Sequence, residues 1–469
     1  QNLTVDSGSI SVANAKLLAA TTTGTVTASI DTTESVDSLK TLYDTGETNA
    51  YTITITSNAA DTQLSTAAEF NAINNATSVA VNATSVTALA SSNISDIKTL
   101  LTAGNDTDQF TATSFSSLAT VAVADSTLDV SDLNDSIAQA NTATGATSTG
   151  FTISSGGTIN GGTAAEFTTL LGYESGSQIS ISNQNLTVDS GTMTVANAVA
   201  FSATTSGTVT GEITSGTTIS AMLDSSSGLK DTGTTATQAL TITVASGDAE
   251  ATAANLTSLY GKTTVAVDAS AVTEITGSVA EANIVYAAGA SEITGLGNET
   301  VVTTDTSLSD VTTLNTLDGN TTGTVNAASV NSITGTLAKL LTAYGSNGIT
   351  GLGNETISVS DTGGGSSLAA SDLNSLDSKT SGTITTATGL VTLTGTVAAL
   401  NTAYGSEGLT IEGDEAITIT DTTVDAEALN NLNNYTSGVI NADTLTKLTG
   451  TLADVNVAFA ADAASSATI

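Results

Sequence analysis

Six carboxylates recur in register over the last two hundred residues, and their chemistry is the first question the chain poses. Glu299, Glu355 and Glu415 open three similar strands, and Asp305, Asp361 and Asp421 close them. Two such columns running along an array could hold Ca²⁺, a hard cation that takes six to eight oxygen ligands. Ca²⁺ is the one cofactor these residues suggest. The plainer alternative makes the aspartates caps of turns or helix starts and the glutamates solvated strand openings. Glycine-rich calcium repeats of the usual spacing are absent. The densest acidic loop is Asn105-Asp106-Thr107-Asp108. Carboxylate pairs also cleave polysaccharides, but no cluster of aromatic and acidic residues breaks the repeat. Cysteine, histidine, tryptophan and proline are all missing, which removes thiolate nucleophiles, imidazole acid/base groups and zinc sites together. The expectation is a protein with no catalytic residue, not an enzyme.

The threonines pose a second question. Thr52, Thr54 and Thr56, and likewise Thr418, Thr420 and Thr422, form Thr-any-Thr ladders of the kind that order water on an ice-binding face. The ladders do not persist along the chain, and threonine is a good strand residue for any wet face. Sequons such as Asn298-Glu299-Thr300 and Asn434-Tyr435-Thr436 are expected by chance in so Asn- and Thr-rich a chain.

The elements that must position these groups are marked by the string Thr394-Gly395-Thr396-Val397-Ala398-Ala399-Leu400-Asn401-Thr402-Ala403-Tyr404, with close copies beginning at Thr276, Thr334 and Thr449. Its glycines are 58, 60 and 55 residues apart, and a ring keeps step at Tyr286, Tyr344, Tyr404 and Phe459. Each copy reads as a helix start. Ser278, Thr336, Thr396 and Thr451 stand where a hydroxyl caps an unpaired N–H, and Leu337, Leu340, Leu341 and Tyr344 then make an apolar stripe. Gly345 and Gly405 stand where a left-handed C-terminal cap is expected. Between copies come the Glu-to-Asp strands and helices signed Leu-Asn-any-Leu, at Leu314/Leu317, Leu373/Leu376 and Leu429/Leu432. One copy carries four extra residues around Gly363-Gly364-Gly365, placed in a surface loop. Earlier in the chain, period-two runs such as Tyr51 to Thr56 lead into helical spacings such as Phe70 and Ile73. About fifteen or sixteen strand–helix units of close to 29 residues result.

Strand, helix and strand with short connections imply parallel pairing through crossovers. The expected fold is an α/β repeat solenoid with a continuous parallel β-sheet and short helices in every coil; the alternative is a right-handed parallel β-helix. At a strand spacing of about 4.8 Å, sixteen coils would be roughly 75 Å long. Gln1 to Gly8 returns as Gln184 to Gly191, so a longer repeat overlies the shorter. Residues 1–183 form the first long block, 184–276 a partial second copy, and 277–469 three tandem repeats of about 55–60 residues, all in one continuous solenoid.

Eight lysines, no arginine and 45 acidic residues give a formal charge of −37, which excludes nucleic acid as a partner. No apolar run reaches the roughly 18 residues of a membrane helix, so no membrane insertion is expected. Only 39% of residues are apolar and 3% aromatic, too few large side chains for one thick core but enough for many thin layers.

The Gly295-Leu296-Gly297-Asn298-Glu299 string and its copy at Gly351 to Glu355, the Leu-Asn-any-Leu-Asp segments ending at Asp318 and Asp377, and the four Thr-Gly-(Ser/Thr)-(Val/Leu)-Ala starts carry a resemblance. Over residues 265–460 the chain resembles the giant repetitive cell-surface and swimming-motility proteins of marine cyanobacteria of the Synechococcus type. Glu412-Gly413-Asp414-Glu415 departs from the glycine-rich form. The resemblance implies an extracellular, cell-surface, non-enzymatic protein and transfers no catalytic residue. The expected function is a cell-surface layer or fibre subunit that self-assembles by stacking of repeats and serves motility or adhesion. The alternative is an adhesin or carbohydrate-binding repeat module, with ice binding behind it. Its partners would be copies of itself, end to end or side by side, and cell-surface polysaccharide. Neither end looks like a cap, so an open coil at each would expose strand edges.

Overall fold

The computed structural model describes residues 1–45, 49–56, 65–234, 236–361, 367–386, 389–390, 392–463 and 467–468. The loop placed at Gly363-Gly364-Gly365 lies outside them. The chain divides into two compact units, Gln1–Thr243 with Leu259–Val267, and Val244–Ser258 with Asp268–Ile469. Both are α/β, built of short parallel strands in several sheets and short helices, an arrangement compatible with a repeat solenoid.

In the first unit the period-two runs become strands. Val26–Ile30 reads Val-Thr-Ala-Ser-Ile and buries Val26, Ala28 and Ile30 while Thr27 and Ser29 stay exposed. It pairs in parallel with Leu3–Ile10 on one side and Ala50–Thr52 on the other. A five-stranded sheet follows farther on, with Thr127–Asp129, Thr158–Gly162, Asn185–Val188, Thr208–Glu212 and Thr237–Thr241 side by side. The helices Ala67–Asn75, Ala164–Ser175 and Val195–Thr204 start at a capping box. Thr66 accepts from the Glu69 N–H, and the Glu69 carboxylate accepts from the Thr66 N–H. Each helix buries one stripe, as with Phe70 and Ile73 in Ala67–Asn75. Phe70, Phe110 and Phe115 are fully buried together, with the Phe115 ring centroid 6.2 Å from Phe70 and 5.1 Å from Phe110.

In the second unit the layers alternate between two designs. A layer closing with the helix Thr312–Asn320, Ala370–Asp377 or Ala426–Tyr435 holds three strands, for instance Leu409–Thr410, Ala416–Ile419 and Thr423–Asp425. A layer closing with Leu337–Gly345, Val397–Gly405 or Leu452–Ala463 holds two, for instance Ile384–Thr386 and Thr392–Gly395. Consecutive helices pack on one another. The sheets therefore cannot follow them indefinitely. Because alternate layers carry one extra strand, in-register pairing drifts away from the helices, and among the described residues no sheet of this unit exceeds five strands while two have only two. One such sheet runs Ser307–Leu308, Ser332–Gly335, Thr356–Val359, Ile384–Thr386, Leu409–Thr410. The next begins at Ser367–Ala369, again directly before a helix.

Two expectations change accordingly. The continuous parallel sheet is instead a set of overlapping short sheets, because the strand count per layer alternates. The all-β alternative gives way to helices, since the Leu-Asn-any-Leu segments bury their i, i+3 pairs in helical geometry, as with Leu373 and Leu376. Gly345 and Gly405 do end their helices, but neither takes a left-handed conformation. The chain leaves through Ser346 and Ser406 in extended geometry, heading straight for the next strand.

Candidate functional site

The six recurrent carboxylates have two separate jobs: the glutamates are buried and the aspartates are half-buried. Glu299, Glu355 and Glu415 are 0, 0 and 2% exposed. A buried carboxylate needs donors, and each finds them locally. Tyr344 donates its hydroxyl to Glu355 Oε2 at 2.6 Å, and the Gly353 N–H reaches both Oε1 and Oε2, at 3.0 and 2.8 Å. Tyr286 donates to Glu299 at 2.9 Å and Tyr404 to Glu415 at 2.9 Å, with Gly297 and Gly413 supplying the N–H groups. The glutamate backbone is clasped from the other side. Thr321 donates its hydroxyl to the Glu299 carbonyl at 2.8 Å, and a Cβ on Gly323, Gly382 or Gly438 would strike the carbonyl of Glu299, Glu355 or Glu415. Burial first, and then the neighbouring glutamate, push the phenols of Tyr286, Tyr344 and Tyr404 far above the ordinary tyrosine range.

The aspartates cap helices that belong to the preceding layer. Asp305 Oδ2 accepts from the Val279 N–H at 2.6 Å, Asp361 Oδ2 from Leu337 at 2.7 Å and Asp421 Oδ2 from Val397 at 2.7 Å. Each of these N–H groups is the first of its helix, one of the four donors a helix start leaves unpaired. Ser278, Thr396 and Thr451 accept from the third residue of the same helices, as their spacing indicates, while Thr336 makes no side-chain cap bond. The first unit repeats the device, with Asp125 accepting from Ile94 at 2.6 Å and Glu34 from Val12 at 2.8 Å. In the Asn105 to Asp108 loop Asp106 accepts from the Asp108 N–H and the Gln109 amide, and Asn105 donates its amide to Gln139 Oε1 at 2.6 Å. Among the described residues no three acidic side chains gather in a way that could hold a metal ion.

A third set of contacts joins the helices, and its signal lay unused inside the Leu-Asn-any-Leu signature. An asparagine at the fifth residue of a helix donates to the carbonyl of the third residue of the next, and in the helix Thr312–Asn320 the same places fall on its fourth and second residues. Asn374 reaches Ala399 O at 2.9 Å, Asn401 reaches Ala428 O at 2.9 Å and Asn430 reaches Asp454 O at 3.0 Å. Asn283, Asn315, Asn71 and Asn134 do the same with Thr313, Lys339, Asp96 and Glu166. Where lysine takes the place, a salt bridge forms the rung: Lys40 to Glu69 at 2.6 Å and Lys98 to Asp132 at 2.7 Å. Leu341 occupies the position in one helix and makes no such bond. The rungs stop short of full satisfaction, since Oδ1 of Asn134, Asn315, Asn374 and Asn401 is buried without a partner.

The first unit carries several surface cavities. An open polar groove of about 550 Å³ runs between helices past Asn71, Asn74, Asn75, Ser95, Thr99 and Thr102. A smaller, mainly apolar pocket of about 250 Å³ lies beside Val199, Ala203, Ala236 and Gln238. No helix among the described residues is long and apolar enough to cross a membrane.

Fold and contacts together define a layered α/β repeat protein whose recurrent polar side chains bind one layer to the next. No protein-family model matches this chain, and no curated protein matches it.

Proposed function

We propose that this chain is a non-enzymatic structural protein of the cell exterior, a subunit of a surface layer or fibre that assembles by stacking of its repeats. One observation carries the reading: the side chains that recur, and that could have done chemistry, are engaged in joining layers. The glutamates sit in tyrosine clasps, the aspartates cap the preceding helix, and the asparagines bridge consecutive helices. A solenoid is the finer form of this arrangement. A charge of −37 on a surface without arginine, and a chain free of cysteine, suit a protein kept soluble outside the cell. The resemblance to cyanobacterial surface and swimming proteins points the same way. Electron microscopy of the isolated protein tests it: fibres or sheets are expected, and single rods at every concentration would reject it.

A second reading is favoured by the polar groove beside Asn71, Asn74 and Thr99. Its amides and hydroxyls suit a surface polysaccharide, and an adhesin would use it. Glycan-array binding lost in Asn74→Ala would support that role; uniform silence across the array would remove it.

A further inference from the structure

We propose that Tyr404 and Tyr435 form a site of oxidative cross-linking, at which a one-electron oxidant joins the two phenols into a dityrosine bridge between consecutive layers.

The composition leaves tyrosine as the accessible oxidisable side chain. Cysteine, tryptophan and histidine are absent, and both methionines, Met193 and Met222, are fully buried. Tyr404 is the eighth residue of Val397–Gly405, and Tyr435 is the last of the next helix, Ala426–Tyr435. Their ring centroids are 5.7 Å apart and their planes only 5° from parallel, an offset stack. Tyr435 is 47% exposed, so an oxidant in solution reaches it. Its hydroxyl lies by the end of the preceding helix, 3.6 Å from where a Cβ on Gly405 would stand.

That exposure belongs to the repeat. Asn320 and Lys379 hold the same place, three residues after the second leucine of the earlier Leu-Asn-any-Leu helices, and both are exposed. They do other work there: Asn320 donates to Asn283 Oδ1 at 3.1 Å, and Lys379 donates to the Tyr344 carbonyl at 3.3 Å. The stacked pair is therefore a local departure, added to a clasp that the repeat already supplies.

The clasp provides the proton acceptor. Tyr404 donates its hydroxyl to Glu415 Oε2 at 2.9 Å. An oxidant takes one electron from Tyr435, whose phenol proton goes to water. A second electron leaves Tyr404 as its phenol proton passes to Glu415. The two phenoxyl radicals couple at ring carbons beside their hydroxyls, forming one C–C bond. The hydrogens on those carbons are lost as protons, and both phenol oxygens are reprotonated, that of Tyr404 by Glu415. Two electrons and two protons have then left the protein, and hydrogen peroxide as the terminal oxidant would become two waters. Holding the rings together favours this pair over chance encounters. The product is a covalent staple in a chain that has no cysteine to make one.

The full chain, kept dilute, is illuminated with tris(bipyridine)ruthenium and persulfate, a photochemical one-electron oxidant. The expected product is of monomer size, lighter by two hydrogens and fluorescent as dityrosine, with Tyr404 joined to Tyr435 in peptide maps. By restricting the unfolded chain, the bridge should raise the thermal midpoint above that of Tyr435→Phe treated in the same way. The monomer of Tyr435→Phe should lose the fluorescence with its circular dichroism unchanged, since the exposed ring is kept. Lys379→Tyr, which sets a second ring beside Tyr344, should add a 344-to-379 link. The proposal is overturned if no dityrosine forms, if Tyr435 is linked only to other copies, or if the monomer of Tyr435→Phe fluoresces undiminished.

Discussion

At the scale of single residues, the tyrosine clasp is the most exacting arrangement in the molecule. Tyr344 donates to a glutamate that has no access to water, so removing the hydroxyl leaves a buried acceptor short of a donor. Tyr344→Phe should cost about 1–3 kcal/mol, read as a lower midpoint in urea with an unchanged slope. The same tyrosines set an alkaline limit. Their folded-state pKa lies above the ordinary value of 10.0, so above that pH the unfolded chain releases protons that the folded one keeps. Stability is fully present below about pH 10 and falls as pH rises beyond it. A variant with Phe at 286, 344 and 404 should start less stable and lose stability less steeply over that range in melts monitored by circular dichroism.

At the scale of elements, the asparagine rungs hold consecutive helices in register. Each brings one hydrogen bond and, at Asn374, a buried Oδ1 with no partner. Two opposed contributions of similar size make the amide a device of alignment more than of stability. Leu341 occupies the equivalent place in another helix without a rung. Asn374→Leu is accordingly expected to change the unfolding free energy by less than about 1 kcal/mol. Asn374→Asp removes the donor and brings a charge against the Ala399 carbonyl, so it should destabilise by clearly more. Thermal denaturation of the pair ranks them, and equal losses would refute the alignment role.

At the scale of the molecule, stability should be distributed between neighbouring layers. Leu400 is fully buried in the helix Val397–Gly405, which packs on Ala370–Asp377 and on Ala426–Tyr435. Leu400→Ala should cost about 2–5 kcal/mol, and the loss should reach both neighbours, because a layered repeat is stabilised by its interfaces. Hydrogen exchange would show amides in all three helices opening faster together. Faster exchange confined to Val397–Gly405 would show independent layers.

The sequence alone determined the periods, the helix starts and the buried stripes. These are local matters: a hydroxyl before a helix, apolar residues at i, i+3 and i+4, alternation in a strand. They are why Thr396, Leu373 and Ile53 could be placed by inspection. It also contained the Tyr-to-Glu and Leu-Asn-any-Leu signals, but not their meaning. A tyrosine closing an apolar stripe reads as packing until the glutamate eleven residues later folds back under its hydroxyl. An asparagine on a helix reads as a wet face until another helix lies against it. Only the tertiary structure decided that the glutamates are buried, that the aspartates serve the layer before their own, and that the sheets stay short, none of those described exceeding five strands. Each of those depends on which layer lies next to which, a relation set by three-dimensional stacking across some 25 residues of chain and invisible to any local pattern.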